Sequence, residues 1–307
     1  MRKEGNIMIE LNHISKEFHG VPALKQVTAS IEKGHVFGLI GSNGAGKSTL
    51  LRILCGILSP DEGTVTVDGQ PVYENPAVKG NLFFISDDQY FPPNATPEEM
   101  MHFYSVYYPG FERERFFKFL STLSLDQKRK INTFSKGMKK QLSVILGVCS
   151  GASYLLCDET FDGLDPVMRQ AVKNLFIKEL EERSLTPIIA SHNLRELEDI
   201  CDHVGLLHKG GILFNKDLDE MKLGIHKLQC VLPSHINQGE AFRSLDILHR
   251  ENRGSLITLT VKGKREDIDK AFFALEPVFY EVLPLTLEEI FISETEVQGY
   301  DIKNLFL

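Results

Sequence analysis

The run Gly34-His-Val-Phe-Gly-Leu-Ile40 leads straight into Gly41-Ser-Asn-Gly-Ala-Gly-Lys-Ser48, and then into a segment that sets Leu50, Leu51, Ile53 and Leu54 on one helical side. A short apolar run closed by glycine reads as a buried strand, and the helix that follows makes this a strand, loop and helix unit. Few folds accommodate that unit, and the open α/β sheet is the principal one, with ligands gathering at the carboxyl ends of its strands. Backbone N–H groups of Gly41, Ser42, Asn43, Gly44, Ala45, Gly46, Lys47, Ser48 and Thr49 are expected to surround phosphate oxygens. The glycines permit a close approach and φ values that a side chain would obstruct. Lys47 is expected to neutralise the β and γ phosphates of ATP, and the Ser48 hydroxyl to ligate Mg²⁺.

The rest of the chain must supply the sheet around this unit. A length of 307 residues suits one large α/β domain plus a smaller one. With 42% hydrophobic and 25% charged residues, the chain is expected to be folded throughout. Its net charge of −8 argues against broad affinity for nucleic acid, and no nucleic-acid partner is expected. The five cysteines are scattered without C-x-x-C spacing, which points to buried free thiols rather than disulfides or zinc. Met1-Arg-Lys-Glu-Gly-Asn6 runs into strand-like sequence, so no targeting segment is expected. Apolar runs such as Val36 to Ile40 fall far short of the roughly 20 residues that cross a bilayer.

Ile7 to Leu11, Val27 to Ile31, Thr64 to Gly69 with its Asp-Gly turn, and Asn81 to Ile85 read as strands. From about 86 to 150 the pattern turns helical. Thr96-Pro-Glu-Glu99 is a capping-box start, and Phe111 to Leu123 and Lys136 to Cys149 give further helices. Tyr154 to Asp158 and Pro187 to Ser191 restore buried strands, each followed by a helical pattern, as βαβ crossovers would. Lys209-Gly-Gly-Ile marks a turn into a hairpin strand.

The character changes after Asp219, which divides the chain into an expected nucleotide-binding domain at 1–219, with a helical insert at about 86–150, and a small C-terminal domain at 220–307. In the latter, strand Lys227 to Leu232, helix Gly239 to Leu245, two strands around Asn252-Arg-Gly254, helix Glu266 to Leu275 and strand Phe279 to Leu283 give an α+β order of ferredoxin-like type.

Asp158 and Glu159 end an apolar strand. There one carboxylate can hold a hydrated metal while its neighbour polarises the attacking water. His192 follows the strand ending at Ser191, at the same edge of the sheet, where it can hold that water or hydrogen-bond the γ-phosphate.

Together these segments resemble the nucleotide-binding subunits of ATP-binding cassette (ABC) transporters, from about Ile7 to Asp219. Phe134-Ser-Lys-Gly-Met-Lys-Lys-Gln141 is similar to the family's signature motif, Tyr154-Leu-Leu-Cys-Asp-Glu159 to Walker B, Gly163-Leu-Asp165 to the D-loop, and Ser191-His192 to the switch histidine. The resemblance implies a P-loop NTPase core of ABC-ATPase type. It also implies that the helix behind Ser135 and Gly137 closes over ATP held by a second subunit, so that two subunits sandwich two nucleotides. Phe18 matches the aromatic that stacks on adenine, and Asp87 takes the place of the Q-loop glutamine, with Gln89 close by as the alternative. Lys136, Met138 and Thr160 also depart from the common pattern. Pro284-Leu-Thr-Leu-Glu-Glu-Ile-Phe291 resembles the closing segment of ATPase subunits in the ABC type 2 exporter group, while by its residues alone Thr286 to Glu289 is a capping box.

The resemblance therefore implies an ATPase on the cytoplasmic face of the membrane, partnered by an integral-membrane permease and by a second ATPase subunit. Its cofactors would be ATP and Mg²⁺, with Glu159 as base, Lys47 and the metal stabilising charge, and Asp158 with Ser48 holding the metal. An ABC ATPase acting on nucleic acid would carry fused cassettes or basic inserts, and an ATP sensor without turnover would lack Glu159 or His192. A phosphotransferase would lack the signature segment.

Overall fold

The alternating sequence at the start of the chain becomes an antiparallel pair, β1 (Ile7–Phe18) and β2 (Val21–Glu32), in a computed structural model that describes residues 7–236 and 241–297. Both strands run further than their alternation implies. His13 and Gln26 adopt positive φ (52° and 49°), and the register shifts between Leu11 and Ile14. Such bulges break the period of two while pairing continues past them. The pair is followed by β3 (Phe37–Ile40), α1 (Lys47–Leu54), β4 (Glu62–Val67) and β5 (Gln70–Pro71). A four-stranded sheet forms in the order β2-β1-β4-β5. The Gly34 to Ile40 run yields a strand only from Phe37, because Gly34 sits in a turn at φ 75°.

Next come α2 (Pro76–Lys79), β6 (Leu82–Ile85), α3 (Pro97–Tyr107), α4 (Arg113–Thr122), a 3₁₀ turn (Ile131–Thr133), α5 (Lys136–Cys149), β7 (Tyr154–Asp158), α6 (Pro166–Arg183), β8 (Thr186–Ser191), α7 (Leu194–Glu198), β9 (His203–His208) and β10 (Gly211–Asp217). The central sheet has six strands in the order β10-β9-β3-β8-β7-β6. β3 pairs in parallel with β8 on one side and β9 on the other, and β7 in parallel with β6 and β8. Every residue of β3, β7 and β8 is buried, as helices on a parallel sheet require. This is an α/β core whose parallel strands are buried on both faces.

The helical insert is started by local chemistry. Thr96 accepts the Glu99 N–H while Glu99 reaches back to the Thr96 N–H, so both halves of the capping box are present. Ser135 caps α5 through the Met138 N–H. Gly147 lets α5 lie close on the sheet, where a Cβ would stand 2.7 Å from Leu155. Glu179, fully buried in α6, binds the guanidinium groups of Arg115 in α4 and Arg183, and Arg183 also donates to the Ala152 carbonyl at 2.6 Å. That cluster fixes the insert to the core.

The chain divides into two compact units, Met1–Asn215 and Lys216–Leu307. The second contains α8 (Leu218–Leu223), β11 (Ile225–Val231), β12 (Asp246–Arg253), β13 (Leu256–Lys262), α9 (Arg265–Phe273), β14 (Phe279–Leu283) and α10 (Leu287–Val297). The residue at which the sequence changes character, Asp219, falls inside α8. Its antiparallel sheet runs β12-β13-β11-β14, placing the first strand between the third and the last, the order of the split βαβ arrangement. Leu228, Cys230, Ile257, Leu259 and Val261 pack one sheet face against Ile268 and Phe272 of α9. Thr286 and Glu289 complete a second reciprocal capping box at the start of α10. The helix expected at Gly239 to Leu245 begins at 239–240, outside the described residues, as does the start of the chain at 1–6.

Candidate functional site

The loop between β3 and α1 is held so tightly that only glycine fits at its ends. A Cβ on Gly41 would stand 2.5 Å from the Leu207 carbonyl oxygen, and one on Gly46, at φ 108°, would stand 2.6 Å from the Ala23 carbonyl oxygen. Gly46 is the N-cap of α1 and offers no side-chain hydrogen bond, and the first turn carries no acid. The first N–H groups of the helix are therefore left for an anion, which the helix dipole also favours. Lys47 folds back beneath the loop, 5% exposed, with Nζ donating to the Gly41 carbonyl at 2.8 Å and the Ser42 carbonyl at 3.3 Å. Ser42, Asn43 and Gly44 form the exposed lip, while Ser48 and Thr49 are half-buried in the first helical turn.

Parallel pairing of β3, β8 and β7 brings their carboxyl ends to this loop. Lys47 Nζ is 3.3 Å from Glu159 Oε1, and His192 Nδ1 is 2.9 Å from Glu159 Oε2. Glu159 is thus bracketed by the loop lysine and the histidine after β8. Its φ of 46° is unusual for a non-glycine residue. Asp158, 1% exposed, has one carboxylate oxygen, Oδ1, without a hydrogen-bond partner. Burial pushes its carboxyl above the usual carboxylate range, and a hydrogen bond from Ser48 opposes that shift. A buried acid with an orphaned oxygen beside a serine hydroxyl is the donor set expected for a hard divalent cation that also binds phosphate.

Asp87, in the loop after β6, meets Lys140 of α5 at 3.1 Å, whereas the Gln89 amide donates within its own loop to the Ser86 carbonyl at 3.2 Å. Ser135 and Gly137 lie beside the D-loop. A Cβ on Gly137 would stand 3.2 Å from the Gly163 carbonyl oxygen, and Lys136 pairs with Asp162 at 3.1 Å. Phe18 ends β1 with a 41% exposed face, next to the strand that carries Ala23 against Gly46.

Two features escaped the sequence reading. Lys140 is a fully buried lysine four residues ahead of the buried Val144, so its place on the apolar stripe of α5 was a usable signal. Ser191 donates to the buried Glu196 at 2.9 Å, and Arg169 reaches both Glu196 and the Leu164 carbonyl, which links the D-loop to the residue before His192. Nothing local in the sequence marks that network.

A family model described as ABC transporter matches residues 24–162. The ABC transporter ATP-binding protein YtrB of Bacillus subtilis is 32% identical over 287 residues, covering 94% of this chain and 98% of its own length. The methionine import ATP-binding protein MetN of Protochlamydia amoebophila is 30% identical over 225 residues, 68% of this chain and 66% of its own. The dimeric post-hydrolysis ATP-binding cassette MJ0796 bound to ADP and Pi superposes with a TM-score of 0.63 over 69% of this chain and 99% of its own, at 21% identity, a likeness of fold alone.

Proposed function

Because the chain belongs to the ABC transporter ATP-binding family and is an ATPase, we propose that Lys47, Asp158, Glu159 and His192 form its hydrolytic site and that its turnover drives an export permease on another polypeptide. The observation that carries the site assignment is the convergence on Glu159 of Lys47 at 3.3 Å and His192 at 2.9 Å. ATP phosphates entering the loop take Lys47 from Glu159 and leave that carboxylate free to accept a proton. A water oxygen then bonds to the γ-phosphorus as the bridging bond to the β-phosphate breaks, and the water proton passes to Glu159. His192 holds the Glu159 carboxylate and the water in line. Ser48 and Asp158 would hold Mg²⁺, which would supply charge neutralisation to the transferred phosphate.

In this reading Phe18 stacks on the adenine bound by its own loop, and Ser135 with Gly137 faces the ATP of a second subunit. A groove of about 300 Å³, in which Phe83, Phe91 and Tyr104 alternate with Ser86, Asp88 and Gln89, and which has exposed Phe103 and Tyr107 beside Tyr104, is the seat assigned to a permease helix. No helix among the described residues is long and apolar enough to cross a membrane. Export is supported by Ser135-Lys-Gly-Met138 and by the closing segment Pro284 to Phe291. The similarity to an import protein makes an ATP-dependent transport assay in inverted vesicles the measurement that decides direction.

Glu159→Gln tests the site. It should bind ATP, lose turnover by roughly 10²–10⁴-fold, and accumulate as an ATP-dependent dimer in light scattering. Normal turnover in that variant would overturn the assignment of the base.

A further inference from the structure

Lys140 occupies the second turn of α5, the helix that opens at Ser135. Its side chain has no exposed surface. Nζ meets Asp87 Oδ1 at 3.1 Å and donates to the Glu159 carbonyl at 2.5 Å. The same carbonyl accepts the Asp162 N–H at 3.2 Å, and the Glu159 N–H donates to the Ala190 carbonyl at 3.0 Å. Glu159 thus has both backbone polar groups engaged while it sits at φ 46°, a conformation that persists only when its surroundings impose it. A buried ammonium also needs a counter-charge, and an amide at position 87 would supply only a dipole.

We propose that Lys140 is a positioning residue of the hydrolytic site, paired with Asp87 so that one buried charge ties the loop after β6 to the backbone of Glu159. Asp87 is a carboxylate because Lys140 requires one. Movement of the loop pulls on the ammonium that holds the Glu159 carbonyl, and so re-aims the base. The route runs from loop to lysine to backbone, without Asp87 having to touch metal or nucleotide. Gln89, whose amide stays within its own loop, is not part of it. The proposal rests on the reading of Glu159 as the base.

The test is a double-mutant cycle in the full-length protein, with kcat and nucleotide affinity measured separately. Asp87→Gln should lower kcat about 10-fold or more while ATP affinity stays within about twofold, and Asp87→Glu should retain most of the turnover. The double variant Asp87→Gln/Lys140→Gln, which replaces the charge pair by two amides, should turn over faster than Asp87→Gln alone. Wild-type turnover in Asp87→Gln, or a double variant that shows only the product of the single effects, would overturn the proposal. Should either Lys140 variant fail to fold, Asp87→Gln against Asp87→Glu still decides, because Asp87 is half exposed. Glu159→Gln run in parallel separates the two claims. If it is inactive and the cycle is additive, the Lys140 proposal falls alone, whereas normal turnover in Glu159→Gln removes both.

Discussion

The two units of this chain treat charge in opposite ways. In Met1–Asn215 the parallel sheet and its helices enclose Lys47, Lys140, Asp158, Lys173, Glu179 and Glu196, while among the described residues of Lys216–Leu307 the buried polar side chain is a threonine, Thr260. A buried charge is costly to keep, so its presence calls for a reason. Lys47 and Asp158 border the phosphate loop, Lys140 holds the backbone of Glu159, and Glu179 pins the helical insert to the core. The second unit rests on a one-faced apolar core, with ions such as Lys227 and Glu289 kept partly in solvent at 2.6 Å from each other. Buried charge, rather than sheet architecture, marks where the chemistry lies.

That contrast can be broken by mutation. Among the buried charges the largest effect is expected at Asp158→Asn, which should lower turnover by about 10³-fold, or ~4 kcal/mol, with little loss of thermal stability. Its pH dependence has a definite sign. Burial holds the Asp158 carboxyl above the usual carboxylate range, so acidification protonates it before exposed aspartates and weakens cation binding as pH falls. In the unmodified protein, the Mg²⁺ concentration for half-maximal turnover should therefore rise toward acid pH, and excess Mg²⁺ should restore activity. An Asp158→Asn protein with normal Mg²⁺ dependence would remove this residue from the site.

Glu179→Ala should come next, at about 3 kcal/mol of stability by chemical denaturation, since it removes the buried carboxylate that Arg115 and Arg183 share. In the second unit Leu228→Ala should cost about 3 kcal/mol through its cavity while ATP affinity, measured by nucleotide fluorescence, stays unchanged. A Leu228→Ala protein with weakened ATP binding would show that the units are not energetically separate.

The features legible in the sequence are those whose cause is local. The phosphate loop, α1, α5 and both capping boxes, at Thr96 and Thr286, depend on residues a few positions apart. The extension of β1 past Leu11 was hidden because the bulge at His13 disrupts the alternation. β9 was not anticipated, since His203 and His208 flank a short apolar stretch that only the neighbouring β3 and β10 turn into a strand. The convergence of Lys47, Asp158, Glu159 and His192 could be expected from strand ends that share one sheet edge. The partners of Lys140 and Glu196 could not, because Asp87, Glu159, Ser191 and Arg169 reach them from separate elements through tertiary packing.

The cysteines carry a practical consequence. All five are free and buried, and burial pushes the Cys149 and Cys157 thiols up to about 12 and Cys230 up to about 11. Thiolate is the reactive form, so these side chains are inert while the fold is closed. A thiol-specific label applied under native conditions therefore times opening events. Mapping the modified peptide tells which half of the polypeptide breathed, since Cys157 lies in the six-stranded central sheet and Cys230 in the C-terminal one.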